Sequence, residues 1–389
     1  MKNSLWLILV ALSCLFSCGS KEEKISNKPL SEQQFEFEIY DSLVVDYLGN
    51  LYLGDISPDG KTILLIQEFS DSILIINESG NILNHFTRKG DGPGFYKSGR
   101  LSPPVFLSNT EFAIPADRGL YCYDMDGNPT RSFFPTFYPT TSLINYFDQK
   151  TILHQGKIYY PWEGRLADSL GVEGRALQPL INRIEILDLA TGLFSPALPF
   201  PKESKFSSSE VSYLNINYTT SLSSRSDTLF VSFRNDPNLY AYSFSNLDSP
   251  ASVLPIPFPE HLPTQPKSAD KYGQYEMPDL YVTSINAFEA TEKNRFLISY
   301  SRGLKKEEYD EVFGLIAKDR KEGYKKLREI NTSGMVIFDG KTLSSIIREP
   351  EELGHSFVFV SENEIWFTPD YDLVEKDYLV LYKTRLVSK

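Results

Sequence analysis

Charged residues recur at one place in a repeating pattern of this sequence. Short apolar runs of β type are followed by Glu68; by Asp117 and Arg118; by Glu163 and Arg165; by Arg234 and Asp236; by Arg302; and by Asp370 and Asp372. Arginines and carboxylates gathered round one mouth can bind a polar ligand such as a sugar or a peptide, through charge-assisted hydrogen bonds. The same residues also suit a structural use, capping loops and pairing with one another. Trp162 closes the aromatic run Tyr159-Tyr160-Pro161-Trp162. It offers a face on which a sugar ring stacks, or a ring that packs inside.

Motif chemistry is otherwise sparse. The four histidines, His85, His154, His261 and His355, show no His-x-His or His-Glu-x-x-His spacing for zinc. No Gly-x-Ser-x-Gly elbow is present. The glycine-rich stretch from Lys89 to Phe95 is followed by no helical pattern and no Gly-Lys-Ser/Thr ending, so it is not a P-loop. Asp124-x-Asp126-Gly127-Asn128 lacks the remaining ligands of a calcium loop and reads as a hairpin turn. The sequence therefore calls for no cofactor and no metal, and favours a binding protein over an enzyme. A glycan- or peptide-processing site assembled from rim acids on distant segments stays open beside that reading.

The elements that must position these residues are strands. Tyr and Phe (23 and 26) far outnumber Met (4), which suits strands better than helices. Pro104 to Phe134 holds four β-type runs separated by Asn, Asp and Gly turns. Such a sheet cannot bury its own faces, and the chain repeats it. Tyr123-Asp124, Leu187-Asp188 and Phe338-Asp339 fall at one place in their units. A recurring four-strand unit predicts an all-β fold, a six-bladed β-propeller of four-stranded antiparallel blades. The last unit runs out of chain after three strands, and Glu36 to Val45 is left to close the ring as its fourth. The loops after first and third strands are short, whereas the length lies after second strands and between blades. That second face is the expected working face. It carries one helical insertion, about 304–331, with an apolar stripe at Tyr309, Val312, Phe313 and Ile316 and a basic second half. That insertion suits a lid or a dock for an acidic partner.

Formal net charge is -12, which argues against nucleic acid as a partner. Leu5 to Phe16 is apolar, too short for a membrane span and suited to a signal-peptide core. It ends in Leu15-Phe16-Ser17-Cys18, which resembles a bacterial lipobox. The resemblance implies cleavage after residue 17, a diacylglycerol on Cys18 and attachment to a membrane. Residues 18–33 then form a tether, and 34–389 one propeller domain. Lys21-Glu22-Glu23 is similar to an acidic tag for display on the outer face of the outer membrane. Cys122, between two tyrosines, reads as a buried strand residue.

ISPDGKTILLI, from Ile56 to Ile66, resembles the strand-turn-strand of TolB-type blades, and Gly90 to Phe95 resembles the glycine-rich link of NHL-type propellers. With the lipobox and tether, the chain resembles a family of six-bladed propeller lipoproteins of Gram-negative envelopes, known only as a domain of unknown function. The resemblance implies fold and outer-membrane location. The expected function is ligand or partner binding on the long-loop face, the partner being a glycan, a peptide or an envelope protein. A scaffold subunit docked through the helical insertion is the remaining alternative.

Overall fold

A computed structural model describes residues 29–67, 70–97, 99–116, 118–137, 150–162, 164–165, 178–268, 275–291, 294–361, 363–371 and 377–389. Six antiparallel sheets form six blades. β1 (Phe35–Val45) precedes blade one, which holds β2 (Leu51–Ile56), β3 (Thr62–Gln67), β4 (Ile73–Asn77) and β5 (Ile82–Phe86). Blade two holds β6 (Val105–Phe106), β7 (Glu111–Ala116), β8 (Gly119–Asp124) and β9 (Pro129–Phe133). Blade three holds β10 (Ile152–His154), β11 (Lys157–Tyr160), β12 (Ile184–Asp188) and β13 (Phe194–Ala197). Blade four holds β14 (Thr220–Arg225), β15 (Thr228–Phe233), β16 (Asn238–Ser243) and β17 (Ser252–Pro255). Blade five holds β18 (Ser284–Ala290), β19 (Phe296–Ser301) and β20 (Ser333–Phe338). Its fourth position is filled by 343–347, which bridges β20 only at Phe338–Leu343 and Met335–Ile347. Blade six holds β21 (Leu353–Ser361), β22 (Glu364–Pro369) and β23 (Leu379–Ser388), with β1 as its outermost strand, so the N-terminal strand closes the ring.

The core explains why the middle strands read as unbroken apolar runs. Each of six hydrophobic clusters lies between two consecutive blades, so both faces of a blade are buried. In β4, Leu74 and Ile76 face blade six while Ile73 and Ile75 face blade two. In β8, Tyr121 and Tyr123 pack towards blade one, and Leu120 and Cys122 towards blade three. Alternation survives as a choice of neighbour rather than as core against solvent. Cys122 is fully buried, and burial pushes its thiol up to about 12. Outer strands see solvent on their edge, and β9 (PTRSF) is accordingly polar.

The two ends of the disc differ. Turns such as 155–156, 226–227 and 57–61 lie at one end; the connecting segments 87–97, 99–104, 198–219, 256–268, 275–283 and 302–332 lie at the other. The last carries the helical insertion, which is two helices rather than one: α1 (Lys306–Ile316) and α2 (Arg320–Ile330). The break comes at Asp319, whose side chain accepts from the Glu322 amide (3.1 Å) and starts α2. Val312 is fully buried, and Tyr309 and Phe313 stack on each other (4.3 Å) and pack on Tyr281.

Candidate functional site

The structure sorts the rim residues expected from sequence. Asp117 and Glu163 lie outside the described residues, as do Glu68, Asp372 and the lipobox with Cys18. Trp162 is not presented to solvent: it is buried, stacked with Phe194 (5.7 Å) and Tyr160 (5.2 Å) and edge-on to Phe137 (6.0 Å). The turn after β11 folds its indole back between blades two and three. Arg165 makes a fork to Glu185 (2.8 and 3.1 Å) and lies 3.9 Å over the Phe137 ring. Burial raises the Glu185 carboxyl, and Arg165 opposes that rise. Arg302 joins Glu260 (2.7 Å) to Glu308 (2.9 Å) and donates to the Ile330 carbonyl, clamping α1 and α2 onto blade five. Arg234 donates to Ser284 Oγ (3.2 Å), and the Asp370 amide to the Glu352 carbonyl (3.1 Å).

Asp236 is buried and accepts from Ser204 (2.7 Å), Asn238 (2.6 Å) and Tyr240 (2.9 Å). A buried carboxylate needs such donors. Beside it, Lys205 donates to Asn235 Oδ1 (2.6 Å) and sits over the Phe206 ring, and burial lowers its ammonium to about 8. Burial and the neighbouring Lys205 bring His261 down to about 4. Arg165, Asp236 and Arg302 are thus spent on loops and partners. The continuous ring of open charges is not formed by them, because each lies where a long connection must be anchored.

Arg118 is different. It is exposed and makes no ion pair or hydrogen bond to another described residue. It lines a cleft of ≈ 540 Å³ on the long-loop end, with Gly92, Gly94, Phe95, Lys97, Tyr121, Ser132 and Phe134. The glycine-rich link from Lys89 to Phe95 forms one wall, so a stretch set aside as a P-loop becomes part of a site. Local physics holds it in place. Gly92 O accepts from the Phe95 amide (3.0 Å), closing a turn. Gly94 takes φ +73°, and a Cβ there would lie 2.6 Å from the Pro129 ring, so only glycine fits. Tyr123 Oη donates to the Gly94 carbonyl (2.7 Å), and Arg88 lies 5.3 Å from the Phe95 ring centre. Arg100 and Lys89 fix the base of the loop on Asp71 (2.8 and 2.6 Å). Across the cleft Phe134 is 61% exposed, a large apolar face in water beside Arg118. Lys97 adds a second cation, held only loosely by the exposed Asp91 (3.4 Å).

A second polar cluster lies on the axis, and sequence reading missed it. The six innermost strands, β2, β6, β10, β14, β18 and β21, or the residues just before them, surround a cavity of ≈ 120 Å³. Asp55, Lys150 and Glu289 are its ionisable lining residues. Asp55 accepts from its neighbour Ile56 N (2.9 Å) and from Phe106 N of blade two (2.7 Å). Burial raises its carboxyl to about 6, against those two hydrogen bonds. Glu289 takes Lys150 Nζ (2.6 Å) and Ser223 Oγ (2.9 Å), which joins blades three, four and five. Burial works to lower Lys150, but Glu289 and Asp55 outweigh it and hold the ammonium above its usual range. Both acids follow β-bulges, between Leu53 and Asp55 and between Ile285 and Ala287. The extra residue reverses the alternation, so Ile56 joins Leu53 in packing between blades and Asp55 turns to the neighbouring strand. The signal was Gly54 inside a strand, with an acid next to it.

No protein-family profile matches the chain, and no curated protein sequence does. Solved structures do. A member of the DUF4221 family from Bacteroides vulgatus superposes with a TM-score of 0.59 at 11% identity, over 92% of this chain and 99% of that one. A protein from Bacteroides fragilis described as exported gives a TM-score of 0.50 at 14% identity, over 92% of this chain and 96% of that one. At this identity the likeness speaks for the six-bladed fold alone.

Proposed function

We propose that the chain is an exported, lipid-anchored binding module whose propeller takes an acidic saccharide in the glycine-loop cleft. The observation that carries this is the Arg118 guanidinium, without a described partner, beside the exposed Phe134 ring. Aromatic faces stack on sugar rings, and an arginine fork pairs with a carboxylate or sulfate. Lys97 supplies a second cation at the same wall. The lipobox at Cys18 supports anchoring in the envelope, and the B. fragilis neighbour described as exported agrees with that address.

The test is a thermal-shift and calorimetric comparison of uronic-acid or sulfated oligosaccharides with neutral ones and with acidic peptides. Acidic saccharides are expected to bind, and Arg118→Ala to weaken them roughly 10- to 100-fold, the loss of one charge-assisted contact of about 1.5–3 kcal/mol. Equal binding of neutral sugars, or binding indifferent to Arg118→Ala, removes the cleft from consideration. Preferential binding of acidic peptides replaces the ligand class. For the anchor, Cys18→Ala is expected to abolish fatty-acid incorporation, and continued labelling of that variant refutes the lipobox.

A further inference from the structure

We propose that the axial cavity is a separate site for a small organic cation, a primary or methylated ammonium, with Asp55 as its counter-ion. The cavity holds ≈ 120 Å³, well above the ~10–15 Å³ a single water requires. It has room for one small ion and not for an oligosaccharide. Its charges are unevenly matched. Lys150 neutralises Glu289 at 2.6 Å, while no lysine or arginine among the described residues lies in ion-pair contact with Asp55. A carboxylate has about four acceptor positions, and backbone amides fill two of those on Asp55. Lys150 acts on Asp55 through space without an ion-pair contact, and a bound cation would take up the acceptor positions that the amides leave open. Phe357 and Phe359 of the adjoining strand β21 and Phe288 of β18 also line the cavity, and aromatic residues are of a type that attracts an ammonium. Inorganic metal chelation is disfavoured, because no group of three or more His, Cys, Asp or Glu fit to hold a metal occurs among the described residues.

The three ionisable residues that face the cavity set its pH dependence. Asp55 must be ionised to hold a cation, whereas Glu289 is already in contact with Lys150 at 2.6 Å. The elements β6, β14 and β21 bring no titratable group to the lining. Binding is therefore stronger at neutral than at acid pH.

Calorimetry and thermal shift of the protein with methylammonium and tetramethylammonium chloride, against potassium and calcium chloride at matched ionic strength, test this. The organic cations are expected to bind at pH 7.5 and about tenfold more weakly at pH 5, following an Asp55 that titrates at about 6. Asp55→Asn abolishes binding. Should that variant not fold, Lys150→Met keeps the proposal testable: it leaves Glu289 uncompensated and is expected to tighten binding several-fold. Weaker binding by Lys150→Met, no pH dependence, or equal shifts with potassium or calcium overturns the assignment. Arg118→Ala leaves ammonium binding unchanged, which separates this site from the cleft.

Discussion

Removing the Trp162 indole takes out a layer held between Tyr160, Phe194 and Phe137. Trp162→Ala is expected to cost about 3–5 kcal/mol of folding stability, as for other large buried aromatics. Urea unfolding measures it, and a loss below about 1 kcal/mol would show that the ring is not packed as described. Asp55 argues the other way, through pH. Its carboxyl titrates at about 6 in the folded state, raised from 3.8 by burial. Between about pH 4 and 6 the folded chain keeps a proton that the unfolded chain has released. Its contribution to stability is therefore full below about pH 4 and is lost as pH rises through 6. Asp55→Asn removes that dependence. The stability of the variant relative to the parent should rise from pH 4.5 to 7.5, and parallel urea midpoints at the two pH values would contradict it. Other side chains did show their use in the sequence. The echoed Asp124, Asp188 and Asp339 each accept amides two and three or four residues on, closing the turn into the last strand position of their blades.

At the scale of elements, short turns and the spacing of strands were readable because each is fixed locally. The axial site was not, since Gly54 and Asn286 change which way later residues face, and a bulge acts against the period used to read a strand. Long connections also hid their pairings, because partners such as Arg302 and Glu260 are far apart in sequence. Arg302 shows what such a pairing does. It holds Glu308 near the start of α1, the carbonyl that ends α2, and Glu260 of the preceding connection. Arg302 and Lys305 bring Glu260 down to about 2. A carboxylate lowered this way stabilises above its ordinary range near 4.5 and loses that effect as pH falls towards 2, so the clamp holds at neutral pH. Arg302→Ala should free α1 and α2 while leaving the blades intact. Tryptic cleavage within 305–328 is expected to be roughly tenfold faster, about 1.4 kcal/mol of local stability, with an unchanged far-ultraviolet strand spectrum. Unchanged cleavage would mean that the buried face around Val312 holds the helices without it.

For the whole molecule, the count of blades and the closure of the ring followed from one surplus strand at the start and one missing at the end. The closure is extensive. β1 pairs with β23 from Phe35–Ser388 to Val45–Leu379, and the ion pairs Glu38–Arg385 (2.7 Å) and Asp41–Lys383 (3.0 Å) flank the seam. Leu43 and Val45 enter the cluster between blades six and one, and Phe37 that between blades five and six. A chain beginning at residue 47 would leave β23 as a bare edge and strip apolar side chains from two of the six clusters. Exposed edges invite pairing with other chains. Every blade leans on two neighbours, so a gap at one place weakens the whole circle. The truncated chain is expected to aggregate or to unfold at far lower urea than the parent. A separate peptide of residues 34–46 should restore cooperative unfolding by adding itself as the missing strand. The same peptide with Leu43 and Val45 changed to Asp should not. Should the truncated chain unfold at the parent's midpoint without peptide, the junctions between blades hold the ring without β1.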